Sequence, residues 1–156
     1  MVKTSIGIRA NPQAVYYCIV RGDINEFELI QLDNIIIPKA LDVPEQLKFI
    51  RTTLADILAE SQVDRACIRT TESQAQKVNL FRSYIEGIIQ EVIASSDISH
   101  YYVGQISSIS AKLSMQRESF KRMVDGGTTF NDLPEWNTYS PEERESVIAA
   151  VSALKL

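Results

Sequence analysis

The sequence predicts an α/β domain built on one mixed five-stranded sheet, with three antiparallel strands followed by parallel strands and helices flanking the sheet. Short β-rich runs near the amino terminus are separated only by turn residues, which is the pattern of consecutive hairpins. Two later apolar runs each follow a helical segment, and a strand reached through a helix pairs in parallel. No linker or repeat interrupts the 156 residues, so we expect one domain spanning 1–156.

The first three strands are predicted from β-branched and aromatic runs. Residues 4–9 and 14–20 flank the turn at 10–13, and the pair is expected to form a hairpin. A third run, 27–37, follows the turn at 21–25 and is ended by the proline at position 38. Three consecutive antiparallel strands result.

The middle of the chain alternates helical and strand patterns. Residues 44–60 have apolar side chains at helical spacing, and a short apolar strand follows at 63–68. A long helix is predicted for 73–94 and a fifth strand for 101–106. These segments make two successive strand–helix–strand units.

The carboxyl-terminal third is predicted as two helices around an irregular segment. A weaker helix covers 110–124, and residues 128–139 have no regular period, which indicates a packed loop or a lid. Ser140 and Glu143 form a capping box that predicts the start of the last helix, with the proline at position 141 in its first turn.

Composition excludes several function classes. The formal net charge of −4 disfavours broad electrostatic capture of nucleic acid, and the densest basic group, Lys112, Arg117 and Lys121, is typical of a solvated helix face. Cys18 and Cys67 fall in strands, and two cysteines without metal-binding spacing suit buried free thiols in a reducing compartment. With no signal core in residues 1–5 and no membrane span, a cytoplasmic location is expected.

The element order matches the ribonuclease-H-like superfamily, and local residues narrow the likeness. Residues 6–12, Ile-Gly-Ile-Arg-Ala-Asn-Pro, resemble the first strand of RuvC-type Holliday junction resolvases, which runs Gly-Ile-Asp-Pro-Gly. Arg9 stands at that family's first catalytic aspartate, and Arg69 stands at the glutamate after its fourth strand. Glu142 and Glu145 are similar to the two acids that open the family's terminal helix.

The resemblance implies a two-metal nuclease centre, but the residues here depart from it. Such a centre holds divalent ions on carboxylates, whereas a guanidinium has no lone pair to offer. We therefore expect no metal, no cofactor and no two-metal nuclease activity. Instead Arg9 and Arg69 are expected to pair with Glu142 and Glu145, the alternative being that both arginines lie at exposed strand ends and contact only solvent.

Three functional hypotheses follow. The first is a catalytically inactive RuvC-like domain that acts as a binding or assembly module, as a homodimer formed through the long second helix or with another protein partner. The second is a metal-dependent nuclease or resolvase with relocated carboxylates, for which the candidates are Glu72, Glu142 and Glu145. The third is a non-catalytic subunit of a defence or DNA-repair complex.

Structured DNA is a weak candidate partner under the first and third hypotheses. The residues that would contact it are basic and lie in three predicted elements: Arg9, Arg69, Lys112, Arg117 and Lys121, with Arg82 as a further member. No membrane partner is expected.

Overall fold

The computed structural model describes residues 2–156, which form one mixed sheet with helices on both faces. The strands are β1 (Lys3–Ala10), β2 (Ala14–Gly22), β3 (Phe27–Ile36), β4 (Arg65–Arg69) and β5 (His100–Gly104). Their spatial order is β3-β2-β1-β4-β5, with β1, β2 and β3 antiparallel and with β4 and β5 parallel to β1. The predicted fold class is confirmed.

Five helices cover the sheet. They are α1 (Val43–Ser61), α2 (Leu80–Ser95), α3 (Ile106–Lys112), α4 (Arg117–Val124) and α5 (Pro141–Ala153), and a short 3-10 turn spans Trp136–Thr138. The apolar side chains of α1 and α2 pack in one core with Ile6 and Ile8 of β1. The side chains of α3, α4 and α5 pack in a second core on the opposite face. Within residues 2–156, none of the helices has the length and apolar character needed to cross a bilayer.

Helix α2 is shorter than the pattern at 73–94 indicates. It begins at Leu80, after Asn79 as amino-terminal cap, because the segment after β4 is held in an irregular connection at the sheet edge. In that connection the Thr71 amide donates to a Glu86 carboxylate oxygen at 2.8 Å, and the Ser73 amide donates to the Gln105 side chain at 3.2 Å. These tertiary contacts override the local helical pattern.

The region after β5 also differs from its prediction. The strand ends at Gly104 rather than 106, because Gln105 and Ser108 cap α3 there. The single helix predicted at 110–124 is two helices, α3 and α4, since Ser114 between them takes a left-handed conformation with φ 55°. The segment 128–139 is a packed loop, with Phe130 and Trp136 buried.

Helix α5 lies unusually close to the central strand β1. A methyl group added at Gly7 would come within 2.2 Å of both the Ala150 amide nitrogen and the Ser146 carbonyl oxygen. The Ser5 hydroxyl donates to the Ala150 carbonyl at 2.5 Å, which satisfies a buried polar group in this contact. Because one side of α5 faces the sheet and the other is covered by α3, α4 and the 128–139 loop, the helix is buried from Arg144 onward, not only along its apolar stripe.

Both cysteines are buried free thiols, as the sequence predicts. Burial raises the pKa of Cys18 far above its usual value, and burial raises the pKa of Cys67 to about 11. A thiol that stays protonated at neutral pH is a poor nucleophile, so neither side chain suits covalent catalysis.

Candidate functional site

The carboxyl ends of the parallel strands bring two arginines together at one edge of the sheet. Arg9 of β1 is directly opposite Arg69 of β4, and Arg69 is opposite Gly104 of β5. The Arg9 side chain follows Gly7 at a spacing of two residues, so it points to the same face as α5. The two guanidinium groups therefore meet beneath the first turns of that helix.

Glu145 of α5 is the carboxylate between them. Its Oε2 forms an ion pair with Arg9 Nε, and its Oε1 lies 3.5 Å from Arg69 Nη2. The side chains of Arg9, Arg69 and Glu145 are only 10%, 3% and 11% exposed. The predicted pairing of the two arginines with this glutamate is confirmed, and the alternative of exposed, solvated arginines is wrong.

Glu142 does not take part, which corrects the prediction that both acids pair with the arginines. Among residues 2–156, Glu142 makes no ion pair with Arg9 or Arg69, and its Oε1 instead accepts from Asn11 Nδ2 at 3.5 Å. It lies about one turn nearer the amino terminus of α5 than Glu145. That step places it beyond the end of β1, beside the turn to β2.

Glu72, suggested by the sequence only as a relocated ligand, is an ion-pair partner instead. Its Oε2 lies 2.8 Å from Arg69 Nη1 and also accepts from the Ile106 amide at 3.0 Å. Its Oε1 lies 3.9 Å from Arg117 Nη2. Glu72 therefore joins β4 to the starts of α3 and α4.

Glu86 of α2 belongs to the site and was missed by the sequence analysis. Its Oε2 accepts from the Thr71 amide and hydroxyl at 2.8 and 2.9 Å. The same oxygen lies 3.6 Å from Arg82 Nε and 4.0 Å from Arg9 Nη1. The available signal was a charged residue on the apolar stripe of a helix, between Ile85 and Ile89, because a buried glutamate almost always has a partner.

These contacts form one continuous path of alternating charge, called here the arginine–glutamate chain. Its members in order are Arg82, Glu86, Arg9, Glu145, Arg69, Glu72 and Arg117. The middle members are buried and the two ends are more accessible, with 22% of the Arg82 side chain and 48% of the Arg117 side chain exposed. The chain connects α2, β1, α5, β4 and α4.

The centre of this chain is held at a cost in solvation. Burial lowers the pKa of Arg9 to about 10, and the neighbouring arginines Arg69 and Arg82 act in the same direction, while Glu145 and Glu86 oppose them. Arg9 therefore remains cationic at neutral pH. Arg69 also donates to the Thr70 carbonyl, and its guanidinium carbon lies 5.8 Å from the centre of the Phe120 ring, a cation–π distance.

The remaining predicted basic residues separate into two places. Arg117 ends the arginine–glutamate chain, and Lys121 lies one turn further along α4, exposed to solvent. Lys112 lies elsewhere, with its ammonium 4.7 Å from the centre of the Tyr102 ring over the edge strand. The basic residues singled out in the sequence thus do not form one face.

Arg144, next to Glu145, is a buried arginine of a different kind. Its guanidinium donates to the carbonyls of Trp136, Val124 and Asn137 at 3.1, 3.0 and 3.3 Å. No carboxylate lies within ion-pair distance of Arg144 in the described part of the chain. It fastens the end of α4 and the 128–139 loop to α5 through backbone oxygens alone.

The residues at the sheet edge do not fit a two-metal centre. Within residues 2–156, no group of three or more histidine, cysteine, aspartate or glutamate side chains is arranged to hold a metal ion. Both Glu145 oxygens face guanidinium groups, and Glu72 and Glu86 are likewise occupied by arginines and backbone amides. Each of these carboxylates faces a cation where a metal site would need it free.

Comparison with known proteins gives structural matches only. No protein-family model matches the chain, and no curated protein matches it in sequence. *Thermus thermophilus* RuvC solved with a Holliday junction substrate matches with a TM-score of 0.71 and 10% identity, covering 96% of this chain and 91% of that one. The yeast mitochondrial Holliday junction resolvase matches with a TM-score of 0.63 and 11% identity, covering 97% and 77%.

A viral protein gives a similar result. The Fowlpox virus resolvase in complex with Holliday junction DNA matches with a TM-score of 0.58 and 14% identity, over 97% of this chain and 96% of that one. These likenesses extend over nearly the whole chain, so the resemblance noted at the first strand is confirmed at the level of fold. The protein is thus a ribonuclease-H-like domain with the fold of RuvC and other Holliday junction resolvases.

Proposed function

We propose that the protein is a non-catalytic ribonuclease-H-like domain that works as a binding or assembly module. The observation that carries the proposal is Glu145 lying between Arg9 and Arg69 at the edge of the sheet. In this arrangement three side chains from β1, β4 and α5 satisfy one another's charge. The edge is then a structural joint that needs no metal ion.

The energetic argument is large enough to decide between the two roles. A divalent ion about 4 Å from one guanidinium is repelled by roughly 8 kcal/mol at an effective dielectric constant of about 20. Two guanidinium groups flank this position, and the one carboxylate between them is already paired. No plausible gain from the remaining oxygen ligands offsets that repulsion.

A cleavage assay tests the absence of catalysis. Linear duplex and four-way junction DNA are incubated with the protein and Mg²⁺ or Mn²⁺, and we expect no product above that formed by the Glu145→Gln variant. Metal-dependent cleavage by the wild type that disappears in Glu145→Gln would overturn the proposal. That outcome would favour a nuclease with relocated carboxylates, with Glu72, Glu142 and Glu145 as its candidate ligands.

Metal binding offers a sharper test, because the proposal attributes the lack of a metal site to two residues. We expect Mn²⁺ titrated into the wild type to give no saturable heat at the sheet edge. The double substitution Arg9→Asp and Arg69→Glu places two carboxylates beside Glu145 and is expected to create a measurable site. Equal Mn²⁺ binding by both proteins would contradict the electrostatic argument.

Self-assembly through α2 is the form of assembly that the surface supports best. Three large apolar side chains are exposed around its first turns: Val78 at 61%, Leu80 at 64% and Tyr84 at 45%. Gly87 follows on the same helix, and a side chain there would meet nothing within 4 Å. An exposed glycine weakens a helix by about 1 kcal/mol, but it allows a second helix to approach closely.

Sedimentation tests the dimer. We expect a concentration-dependent dimer that is lost in the Leu80→Lys and Tyr84→Lys double variant. Ile30→Lys is the matched control, because Ile30 is also exposed, at 49%, but lies on β3 at the other edge of the sheet. A monomer at all concentrations up to about 100 μM, where specific interfaces normally associate, would exclude the homodimer and point to a different protein partner.

A further inference from the structure

The two ends of the arginine–glutamate chain carry positive charge that nearby carboxylates do not fully compensate. Arg82 Nε lies 3.6 Å from Glu86 and Arg117 Nη2 lies 3.9 Å from Glu72, both longer than a hydrogen bond. The chain contains four arginines and three glutamates, so it has one excess cation. The excess is located at the accessible ends because the buried middle is paired.

The glutamates have little capacity left to neutralise those ends. Glu86 Oε2 already accepts from the Thr71 amide and hydroxyl, and Glu72 Oε2 accepts from the Ile106 amide and from Arg69. The nearest other acid of α5, Glu142, contacts Asn11. Most donors of Arg82 and Arg117 are therefore free to bind another acceptor.

Helix geometry adds to the positive potential at both ends. Arg82 is the third residue of α2 and Arg117 is the first residue of α4. A cation in the first turn of a helix is disfavoured by the helix dipole by about 0.3–1 kcal/mol, whereas an anion there is favoured. α2 has no acidic residue in its first turn and α4 has one, Glu118, so both sites retain unbalanced positive charge.

Two buried donors of the chain also lack acceptors. Within residues 2–156, Nε of Arg69 and Nε of Arg82 have no hydrogen-bond partner, and the Arg69 side chain is only 3% exposed. Buried guanidinium N–H groups without partners carry a large free-energy cost. An incoming anion would meet this unmet demand as well as the two helix ends.

We propose that the phosphodiester backbone of a nucleic acid binds across Arg82 and Arg117, through direct guanidinium contacts and without a divalent ion. The inference rests on the proposed non-catalytic function and names the partner of the same edge. Guanidinium groups match phosphate oxygens in a bidentate geometry, and no bond is made or broken in this step. Two cationic ends on separate helices suit successive phosphates of one strand better than a single free phosphate.

The net charge of −4 restricts where a polyanion can bind. Because the rest of the surface repels nucleic acid, binding is confined to this edge and weakens steeply with salt. Each arginine that contacts a phosphate contributes about one unit to the slope of log affinity against log salt concentration. This slope distinguishes two phosphate contacts from a diffuse attraction.

Fluorescence anisotropy with labelled single-stranded, duplex and four-way junction DNA tests the inference, in EDTA and low salt. We expect the Arg82→Gln and Arg117→Gln double variant to bind at least about tenfold more weakly, with a salt slope lower by about two. Arg51→Gln is the matched control, because Arg51 is also half exposed and paired, with Glu91 at 2.8 Å, but lies on α1. It is expected to stay within about twofold of the wild type.

Conservative variants separate binding from folding. Arg82→Lys and Arg117→Lys retain the charge but not the bidentate fork, so we expect intermediate affinity with an unchanged melting temperature. Inorganic phosphate at low millimolar concentration and a polyglutamate peptide are added as competitors, and neither is expected to displace DNA.

Several results would overturn the inference. They are absence of binding to any of the three DNAs, binding that EDTA abolishes, equal loss in Arg51→Gln, and full displacement by phosphate or polyglutamate. Cleavage in Mg²⁺ is measured separately on the same samples. Cleavage would refute the non-catalytic function, whereas EDTA-resistant binding through Arg82 and Arg117 would still stand or fall on the anisotropy result.

Discussion

The two ends of helix α5 contact the same sheet in different ways. Its first turns carry Glu145 into a buried ion pair with Arg9 and Arg69. From Ser146 onward the helix packs by shape alone, close enough that Gly7 has no room for a methyl group. One end therefore depends on matched charges and the other on missing atoms.

The difference teaches how each contact can fail. A dry contact at close range is damaged by adding atoms, because backbone must move to make room. A buried ion pair is damaged by removing one partner, because the others stay charged and unpaired. Removing all its charged members at once is expected to cost little, and that contrast separates the two kinds of joint.

The largest effect is expected from Glu145→Ala. It leaves Arg9 and Arg69 buried side by side without a carboxylate between them, and should lower the free energy of unfolding by about 3–5 kcal/mol. Urea denaturation measures the loss. The control is the triple variant Arg9→Met, Arg69→Met, Glu145→Met, expected to match the wild type or exceed it. A single variant within about 1 kcal/mol of the wild type would show that the pairing is not buried enough to matter.

Gly7→Ala tests the dry end of the same helix. The added methyl group meets backbone atoms of α5 at 2.2 Å, so the helix must shift, and the expected loss is about 3 kcal/mol. Gly127→Ala is the control, because its methyl group would meet only Arg122 O at 3.6 Å, an ordinary contact. If the two alanine variants were equally stable in urea, the close approach of α5 to β1 would be wrong.

Arg144→Lys asks whether a charged residue can serve the dry side of α5 without a charged partner. A single ammonium cannot reach all three carbonyls that the guanidinium binds, so we expect a loss of about 2–3 kcal/mol. Hydrogen exchange should show the loss of protection concentrated in residues 125–139. Uniform loss across the sheet would contradict a local fastening role.

The smallest effect concerns pH and the thiol of Cys67, which lies under α5. Its pKa is raised from 9.0 to about 11 in the folded protein, so the folded state favours the neutral thiol. This stabilisation is fully present below pH 9.0, the unfolded value, and is lost as pH rises through about 11. The loss is on the order of 2 kcal/mol.

The measurement is the difference in unfolding free energy between the wild type and Cys67→Ala across that range. Taking the difference cancels the other groups that titrate at high pH, including Tyr102, whose pKa is also raised by burial. The gap between the two proteins should narrow as pH increases. A gap that stays constant from pH 8 to 11 would mean that the thiol is not shielded from water.

The meeting of Arg9 and Arg69 was predictable, because parallel neighbouring strands end at the same edge and each arginine is the polar residue at such an end. The pairing with Glu145 followed from the start of the last helix, which a capping box marks clearly. The role of Glu142 was not predictable. It depends on where the first turn of α5 extends past β1, a tertiary distance that no local pattern records.

Glu86 and Arg144 were missed for different reasons. Glu86 left a trace in the sequence, a charge on an apolar helical stripe, but its partners lie on β1 and in the loop after β4. Arg144 left none, because its partners are backbone carbonyls, which every residue has. Likewise the start of α2 at Leu80 was fixed by hydrogen bonds from Thr71 and Ser73 to distant side chains, so helical periodicity placed it too early.

The single tryptophan has a practical consequence. Trp136 is 1% exposed, its indole N–H donates to the Met123 carbonyl at 2.9 Å, and its own carbonyl accepts from Arg144. The protein therefore has one intrinsic fluorophore, located where α4, α5 and the loop between them converge. Its emission reports the docking of Arg117's helix without any label, so that ligand contact at the sheet edge becomes visible in the unmodified chain.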